Sequence, residues 1–222
     1  MNAQSLAGAL LSISGLMAEN RDYLVELDQQ NGDGDLGVSM AAGFKAVSDY
    51  LEAASADGSP AGEKDLGKLF MKMSGIFNEA APSSLGTIIS IGLMGIARIL
   101  KGKEEAGIEE ISAAMEAGIT AIMDKAKSKP GEKTILDALC PAIEVLKNSG
   151  ADGSIAEAAL WVKAAEAAAA GSESTKAMKS VHGRAAYYGE KSIGVLDGGS
   201  VVGKLIFDGI VLAKSQRNYL TG

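Results

Sequence analysis

The chain carries one cysteine and one histidine in 222 residues, and each scarcity removes a class of chemistry. Cys140 alone cannot form an intramolecular disulfide, and between Leu139 and Pro141 it reads as a small buried hydrophobe rather than a reactive thiol. His182 is the sole histidine, a residue more often structural or exposed than catalytic when alone, and no convincing Ser-His-Asp or Cys-His arrangement builds around it. Positive charge is also short: 21 Lys and Arg face 28 Asp and Glu, for a net charge of -7. That balance argues against nucleic acid or an anionic membrane as the main partner. It leaves a nucleotide open, which needs only a local positive field or a metal. Alternating strand-like runs, internal repeats and low-complexity tails are absent, so nothing divides residues 1–222 into more than one domain.

Two segments invite a membrane reading, and both fail it. The start, MNAQSLAGALLSISGLMAEN, lacks an early basic region and reads as an amphipathic helix rather than a signal peptide. Residues 80–97 carry no charge over about the length of a membrane span. They include Pro82, four serines or threonines and three glycines, which suits a buried central helix better. The expected compartment is the cytoplasm.

What is present is helical periodicity. Leu6, Leu10, Ile13 and Met17 mark one stripe, and Leu66, Leu69, Phe70, Met73 and Phe77 another. Residues 83–100 are apolar nearly all round, as in a helix packed on several sides. Further helices are predicted over 35–54, 106–127, 133–148, 154–170 and 199–217. The stop signals Lys129-Pro130-Gly131 and Asn148-Ser149-Gly150 separate three of them, and a turn-rich loop is predicted over 55–63. The pattern is an all-α domain of about eight helices. Residues 171–198, rich in Gly, Ser and Tyr, are the longest ambiguous stretch, and irregular segments of that length in compact domains are usually functional.

The strongest chemical signal is Asp28-Gln-Gln-Asn-Gly32-Asp33-Gly34-Asp35-Leu36-Gly37. Two acids flank a glycine and a third lies five residues upstream, so the three can converge on one hard cation. The same residues would also serve as a solvated turn with Asp35 as a helix N-cap. An EF-hand is excluded, because no frame puts its glycine and terminal glutamate in place. Oxygen-only ligands favour Mg²⁺ or Ca²⁺ over zinc. The N–H groups of Leu36, Gly37, Val38 and Ser39, at a helix start, would face a phosphate held by such an ion.

Two other stretches are weaker alone. Pro130-Gly-Glu-Lys133-Thr134-Ile135-Leu-Asp137 echoes the end of a Walker A motif, but the upstream glycines and the preceding strand are missing. It reads locally as a helix start. In His182-Gly183-Arg184 and Asp197-Gly198-Gly199, the arginine suits a phosphate or acid and the aspartate a cation or ribose, with a plain structural loop as the alternative.

Together, in this order and spacing, the three stretches resemble the nucleotide-binding L subunit of dihydroxyacetone kinases, the DhaL family, and the equivalent C-terminal domain of single-chain dihydroxyacetone kinases. The family pattern Gly-Asp-Gly-Asp-His-Gly matches at Gly32 to Gly37, Gly-Asp-Lys-Thr at Gly131 to Thr134, and Gly-Arg-Ala-Ser-Tyr-Leu-Gly-Glu-Arg-Ser-x-Gly at Gly183 to Gly194. The resemblance spans nearly the whole chain. It implies an antiparallel barrel of eight helices with the nucleotide at one end. It implies that Asp28, Asp33 and Asp35 hold two Mg²⁺ ions on the phosphates of ADP or ATP. Leu36, Gly37, Val38 and Ser39 match the phosphate-contacting helix start, and Thr134 and Ile135 a segment beside the nucleotide. Arg184 matches an arginine near the phosphates, and Asp197, Gly198 and Gly199 the turn lining the pocket.

The chain departs from the pattern at three places, one being Asp197-Gly198-Gly199-Ser200 where the family has Asp-Pro-Gly-Ala. The family histidine is Leu36, and the glycine-rich loop that wraps the nucleotide is replaced around Asn78–Ser84, with Ala80, Ala81 and Ser84 as nearest counterparts. The implied activity is phosphoryl transfer to a short ketose held by a separate K-type subunit, so the chain is expected to be inactive alone. The phosphoryl source is either an M-type phosphotransferase-system partner acting on bound ADP or exchangeable ATP, and a homodimer is a further possible assembly. Two alternatives accompany it: a kinase subunit for another small ketose such as a tetrulose, and a non-catalytic nucleotide-binding regulator.

Overall fold

The computed structural model describes residues 1–55, 63–148 and 156–221. Within them lie nine α-helices: α1 (Ala3–Glu19), α2 (Arg21–Gln29), α3 (Leu36–Ser55), α4 (Leu66–Ala80), α5 (Ser84–Ile99), α6 (Ile108–Ala126), α7 (Leu136–Lys147), α8 (Glu157–Ser174) and α9 (Gly198–Thr221). Two 3₁₀ segments, Thr175–Ala177 and Arg184–Ser192, join α8 to α9. The only β pairing among the described residues is an isolated bridge between Asn2 and Glu105.

Eight of these helices close a ring. The packing order is α1, α3, α4, α5, α6, α7, α8, α9 and back to α1, with α2 braced outside against α3 and α9. This is the expected antiparallel eight-helix barrel. Its core contains both predicted stripes: Leu6, Leu10, Ile13 and Met17 of α1, and Leu66, Leu69, Phe70, Met73 and Phe77 of α4, are all buried. Phe77 meets Phe44 of α3 edge-on, with ring centroids 4.9 Å apart. An apolar cavity of about 770 Å³ lies within the ring, lined by Leu10, Phe44, Met73, Ile119 and Trp161 among others. No described helix is long and apolar enough to cross a membrane.

Helix ends follow local chemistry. Asn2 caps α1 by accepting from the Ser5 N–H at 3.0 Å, and Ser5 Oγ accepts in return from the Asn2 N–H. Asp65 and Ser83 cap α4 and α5 one way only, accepting from the Lys68 and Gly86 N–H groups. Asn20 ends α1, its side-chain amide donating to the Leu16 carbonyl at 2.8 Å, and α2 begins at once. That separate short helix is absent from the periodicity reading, because no Gly or Pro marks the break. In the ambiguous stretch, α8 runs on to Ser174 before the chain turns irregular. The predicted loop at 55–63 and the stop at Asn148-Ser149-Gly150 fall largely outside the described residues.

The up-and-down order decides where a site can form. The connections after α2, α4, α6 and α8 gather at one end of the barrel, and they contain all three motif stretches.

Candidate functional site

At that end lies an open cavity of about 840 Å³. Asp28 comes from the last turn of α2, Asp33 from the following loop, and Asp35 directly precedes α3. The three offer carboxylate oxygens all within 4.8 Å of one another. The loop is held in shape by Gly34, whose φ of +79° suits glycine and whose N–H donates to Asp28 Oδ2 at 2.8 Å. Asp33 and Asp35 are exposed and Asp28 half-buried, so solvent and a ligand can reach the cluster. Hard oxygen donors, accessible and mutually repelling, suit a divalent cation such as Mg²⁺. Arg184 pairs with Asp33 and carries the α8–α9 connection over the acids.

The opposite wall is built on the α6–α7 connection. Asp137, in the first turn of α7, accepts from the Gly131 N–H at 2.6 Å and the Thr134 N–H at 2.7 Å, which folds that loop back on itself. Lys133 takes a left-handed φ of +61° and is buried. Its Nζ donates to the carbonyls of Thr175 at 2.9 Å, Met178 at 3.1 Å, Ser192 at 2.7 Å and Val195 at 2.6 Å. Four carbonyl dipoles thus solvate the ammonium in place of water, and burial still holds its pKa below the usual lysine value. This disposes of the Walker A echo: the lysine is spent inside the protein. Nearby, Glu132 accepts from the Lys129 N–H at 3.0 Å and meets His182 Nε2 at 2.6 Å. The His182 contact, then the Lys129 N–H, hold the Glu132 carboxyl below its ordinary value.

Asp197 closes the third side. Its N–H donates to Thr175 Oγ1 at 3.0 Å, and its Oδ2 accepts from the Ser200 N–H at 2.6 Å, starting α9. Burial raises its pKa to about 7; the Ser200 N–H opposes, Asp137 adds to the rise, Lys133 opposes and Asp28 adds. A carboxylate so placed stores electrostatic strain that a bound cation would relieve.

The cavity lining brings together Asp28, Asp33, Asp35, Leu36, Ser84, Thr134, Ile135, Arg184, Asp197, Gly198 and Gly199. Gly37, Val38, Ser39, Ala80 and Ala81 are not in it. Gly37 lies so close to the Arg21 carbonyl of α2 that a Cβ would fall 2.0 Å from it. Ser39 Oγ turns back to the Leu36 carbonyl at 3.2 Å, and Ala81 is wholly buried under α5. Val38 is exposed on the surface. Ser83, Pro82 and Thr87 line the wall beside Ser84. Lining residues that the sequence reading did not single out include Asn31, Ser128 and Ser180. Lys133 was noted only as a Walker A echo, because its four acceptors lie 42 to 62 residues away.

The DAK2 domain model matches residues 30–212. The chain belongs to the DAK2 domain family. Among DAK2-domain relatives, the ADP-binding subunit DhaL of PEP-dependent dihydroxyacetone kinase 2 from Listeria innocua is 30% identical, over 90% of this chain and 89% of its own. The corresponding subunit from Escherichia coli is 26% identical over 90% of this chain and 92% of its own. Human triokinase/FMN cyclase is 31% identical over 86% of this chain, which spans only 32% of that larger protein. The fold is that of the C. freundii dihydroxyacetone kinase, with a TM-score of 0.72 at 24% identity, covering 97% of this chain and 35% of the other. A structure of that enzyme in complex with AMP-PNP and Mg²⁺ superposes with the same TM-score, 0.72.

Proposed function

We propose that this DAK2-domain protein is the nucleotide- and Mg²⁺-binding subunit of a dihydroxyacetone-type kinase. The observation that carries this reading is the convergence of Asp28, Asp33 and Asp35 within 4.8 Å, with Arg184 beside them, on one cavity of about 840 Å³. The three carboxylates would hold Mg²⁺, two ions in the reading the family resemblance supports. Bound there, the metal would neutralise charge on the phosphate oxygens of ADP or ATP. Leu36 and the α3 start at Gly37, Val38 and Ser39 would contribute the helix N-terminal field. Ser84 would border the nucleotide on the α4–α5 side, and Thr134, Ile135, Asp197, Gly198 and Gly199 on the other.

The chain's own contribution to transfer is placement. Arg184, exposed and paired with Asp33, is free to move to a phosphate once a cation takes up the carboxylate. The loop anchored by Lys133 fixes where it starts from. In this proposal the acceptor, a hydroxyl of a short ketose, is presented by a separate K-type subunit. The phosphoryl group comes from ATP or from an M-type phosphotransferase-system donor acting on bound ADP. A regulatory nucleotide-binding role without transfer stands as the competing reading. Mixing the purified chain with a K-type subunit, Mg²⁺, ATP and dihydroxyacetone, and repeating the mixture with an M-type donor, tests it. Phosphorylated ketose appearing only in complete mixtures supports the kinase. Tight Mg²⁺–nucleotide binding with no transfer in any mixture supports the regulator.

A relative named L-erythrulose kinase from Pectobacterium atrosepticum, 28% identical over 94% of this chain, favours a second acceptor. That protein is larger, this chain spanning 34% of it. Offering erythrulose beside dihydroxyacetone in the same assay separates the two.

A further inference from the structure

The segment joining α8 to α9 is gripped at both ends by Lys133, through the Thr175 and Met178 carbonyls on one side and those of Ser192 and Val195 on the other. Among the hydrogen bonds and ion pairs of the described residues, two tie its middle to the rest of the molecule. His182 Nε2 donates to Glu132 Oε2 at 2.6 Å, and Arg184 pairs with Asp33 of the acid loop. The contact of Lys179 with Glu190, at 2.9 Å, joins the segment only to itself. The two ties lead to different walls of the cavity, Glu132 in the α6–α7 connection and Asp33 after α2. Gly183 lies between them, with a φ of +64° and nothing within 4 Å of a Cβ, so the chain can turn there without a steric stop.

The Glu132 end is the fixed one. Its Oε2 also accepts from the Lys129 N–H at 3.0 Å, and the next residue is the buried Lys133. His182 lines the cavity and Glu132 does not, so the carboxylate supports the imidazole from behind. The Arg184 end has to let go, because Asp33 is one of the three carboxylates assigned to the cation. With Arg184 off Asp33, the Glu132–His182 contact is what remains to hold the middle of the segment at the cavity. A guanidinium two residues from a fixed point stays near the site. Released altogether, it has to be ordered again from solvent, at a cost in conformational entropy.

We infer that Glu132 and His182 are positioning residues: their contact holds Gly183 at the cavity, so that Arg184, on leaving Asp33, passes to the phosphate rather than to solvent. The inference rests on the nucleotide reading of the site above. Glu132 acts in it through His182 and Arg184, without touching the ligand.

Glu132 is therefore the residue to change, since its loss removes no lining group. Calorimetric titration of Mg²⁺–ADP into wild type, Glu132→Ala, Arg184→Ala and the double variant closes a cycle. Glu132→Ala is expected to weaken Mg²⁺–ADP about three- to tenfold when Arg184 is present, and to add no loss once Arg184 is alanine. Glu132→Gln, whose amide oxygen can accept the same two N–H groups, should restore wild-type affinity. Wild-type affinity in Glu132→Ala overturns the inference. So does an equal loss in both backgrounds, which would mean that Glu132 acts on the fold and not through Arg184. A Glu132→Gln variant as weak as Glu132→Ala also overturns it, in favour of a plain charge effect. Wild-type protein that binds no Mg²⁺–ADP overturns the nucleotide reading itself. Amide exchange in Mg²⁺ alone then decides the tether: faster exchange across 181–189 in Glu132→Ala supports it, and unchanged exchange overturns it.

Discussion

Lys133 Nζ donates to the Val195 carbonyl at 2.6 Å, tying the α6–α7 connection to the chain just before Asp197. The same ammonium reaches Thr175, Met178 and Ser192, so one side chain gathers the whole irregular segment between α8 and α9. Lys133→Met removes the charge and the N–H donors shared by four carbonyls, three of them in a segment whose other ties to the rest of the site include His182–Glu132 and Arg184–Asp33. Unfolding in urea should show a loss of about 2–4 kcal/mol. Amide exchange should rise across 176–195 ahead of the barrel helices. Equal exchange increases throughout the barrel would contradict a local anchoring role.

Asp33 stands between Arg184 and the other two acids, which makes it the most telling ligand to neutralise. Asp33→Asn keeps the shape and removes one charge. Nucleotide affinity should fall far more with Mg²⁺ present than in EDTA, because the loss acts through the cation. Similar losses under both conditions would remove Asp33 from any metal bridge. In EDTA the freed Arg184 can reach a phosphate unopposed, so a slight gain there is compatible with the scheme.

The barrel was readable because its helices advertise themselves: Leu6, Leu10, Ile13 and Met17 recur at helical spacing, and all are buried. The acid cluster was readable for a related reason, since Asp28, Asp33 and Asp35 are close in the chain and local turns suffice to bring them together. Lys133 was not, because its burial depends on carbonyls contributed by residues far along the sequence, and a backbone acceptor leaves no residue-type signature. Glu132 and His182 are likewise undistinguished until the fold sets them side by side. Ala81 illustrates the converse: a residue standing as the nearest counterpart of a motif position can be turned into the core.

Asp197 makes the metal-free protein sensitive to pH. Its pKa is raised from the ordinary value near 3.8 to about 7, with burial the main cause and Asp137 and Asp28 adding to it. A carboxyl whose pKa is higher folded than unfolded favours the folded state when protonated. Its contribution is fully present below the unfolded value, declines as pH rises through the folded one, and is gone above about pH 7. Urea unfolding in EDTA should therefore show stability falling between about pH 4 and 7, and Asp197→Asn should flatten that slope. A wild-type slope retained in the variant would assign it to other groups. Saturating Mg²⁺–nucleotide should also flatten it, since nearby positive charge favours the ionised carboxylate.

Gly34 allows the acid loop to be tested without touching an acid. Its φ of +79° is one that an alanine adopts only under strain, and a Cβ there would fall 2.7 Å from Gln29 Cγ, so the exposed Gln29 side chain must shift. Gly34→Ala should thus fold, at a cost of about 1 kcal/mol in urea. The strain falls on the N–H that holds Asp28 Oδ2, so Asp28 should lose its place among the three carboxylates. Mg²⁺ affinity, followed by titration in the presence of ADP, should drop several-fold. Gly102 supplies the control: its φ is +80°, nothing lies within 4 Å of a Cβ there, and it sits in the α5–α6 connection at the other end of the barrel. Gly102→Ala should cost similar stability and leave Mg²⁺ affinity unchanged. Matching Mg²⁺ losses in the two variants would mean that general destabilisation, not the Gly34–Asp28 bond, governs the metal site.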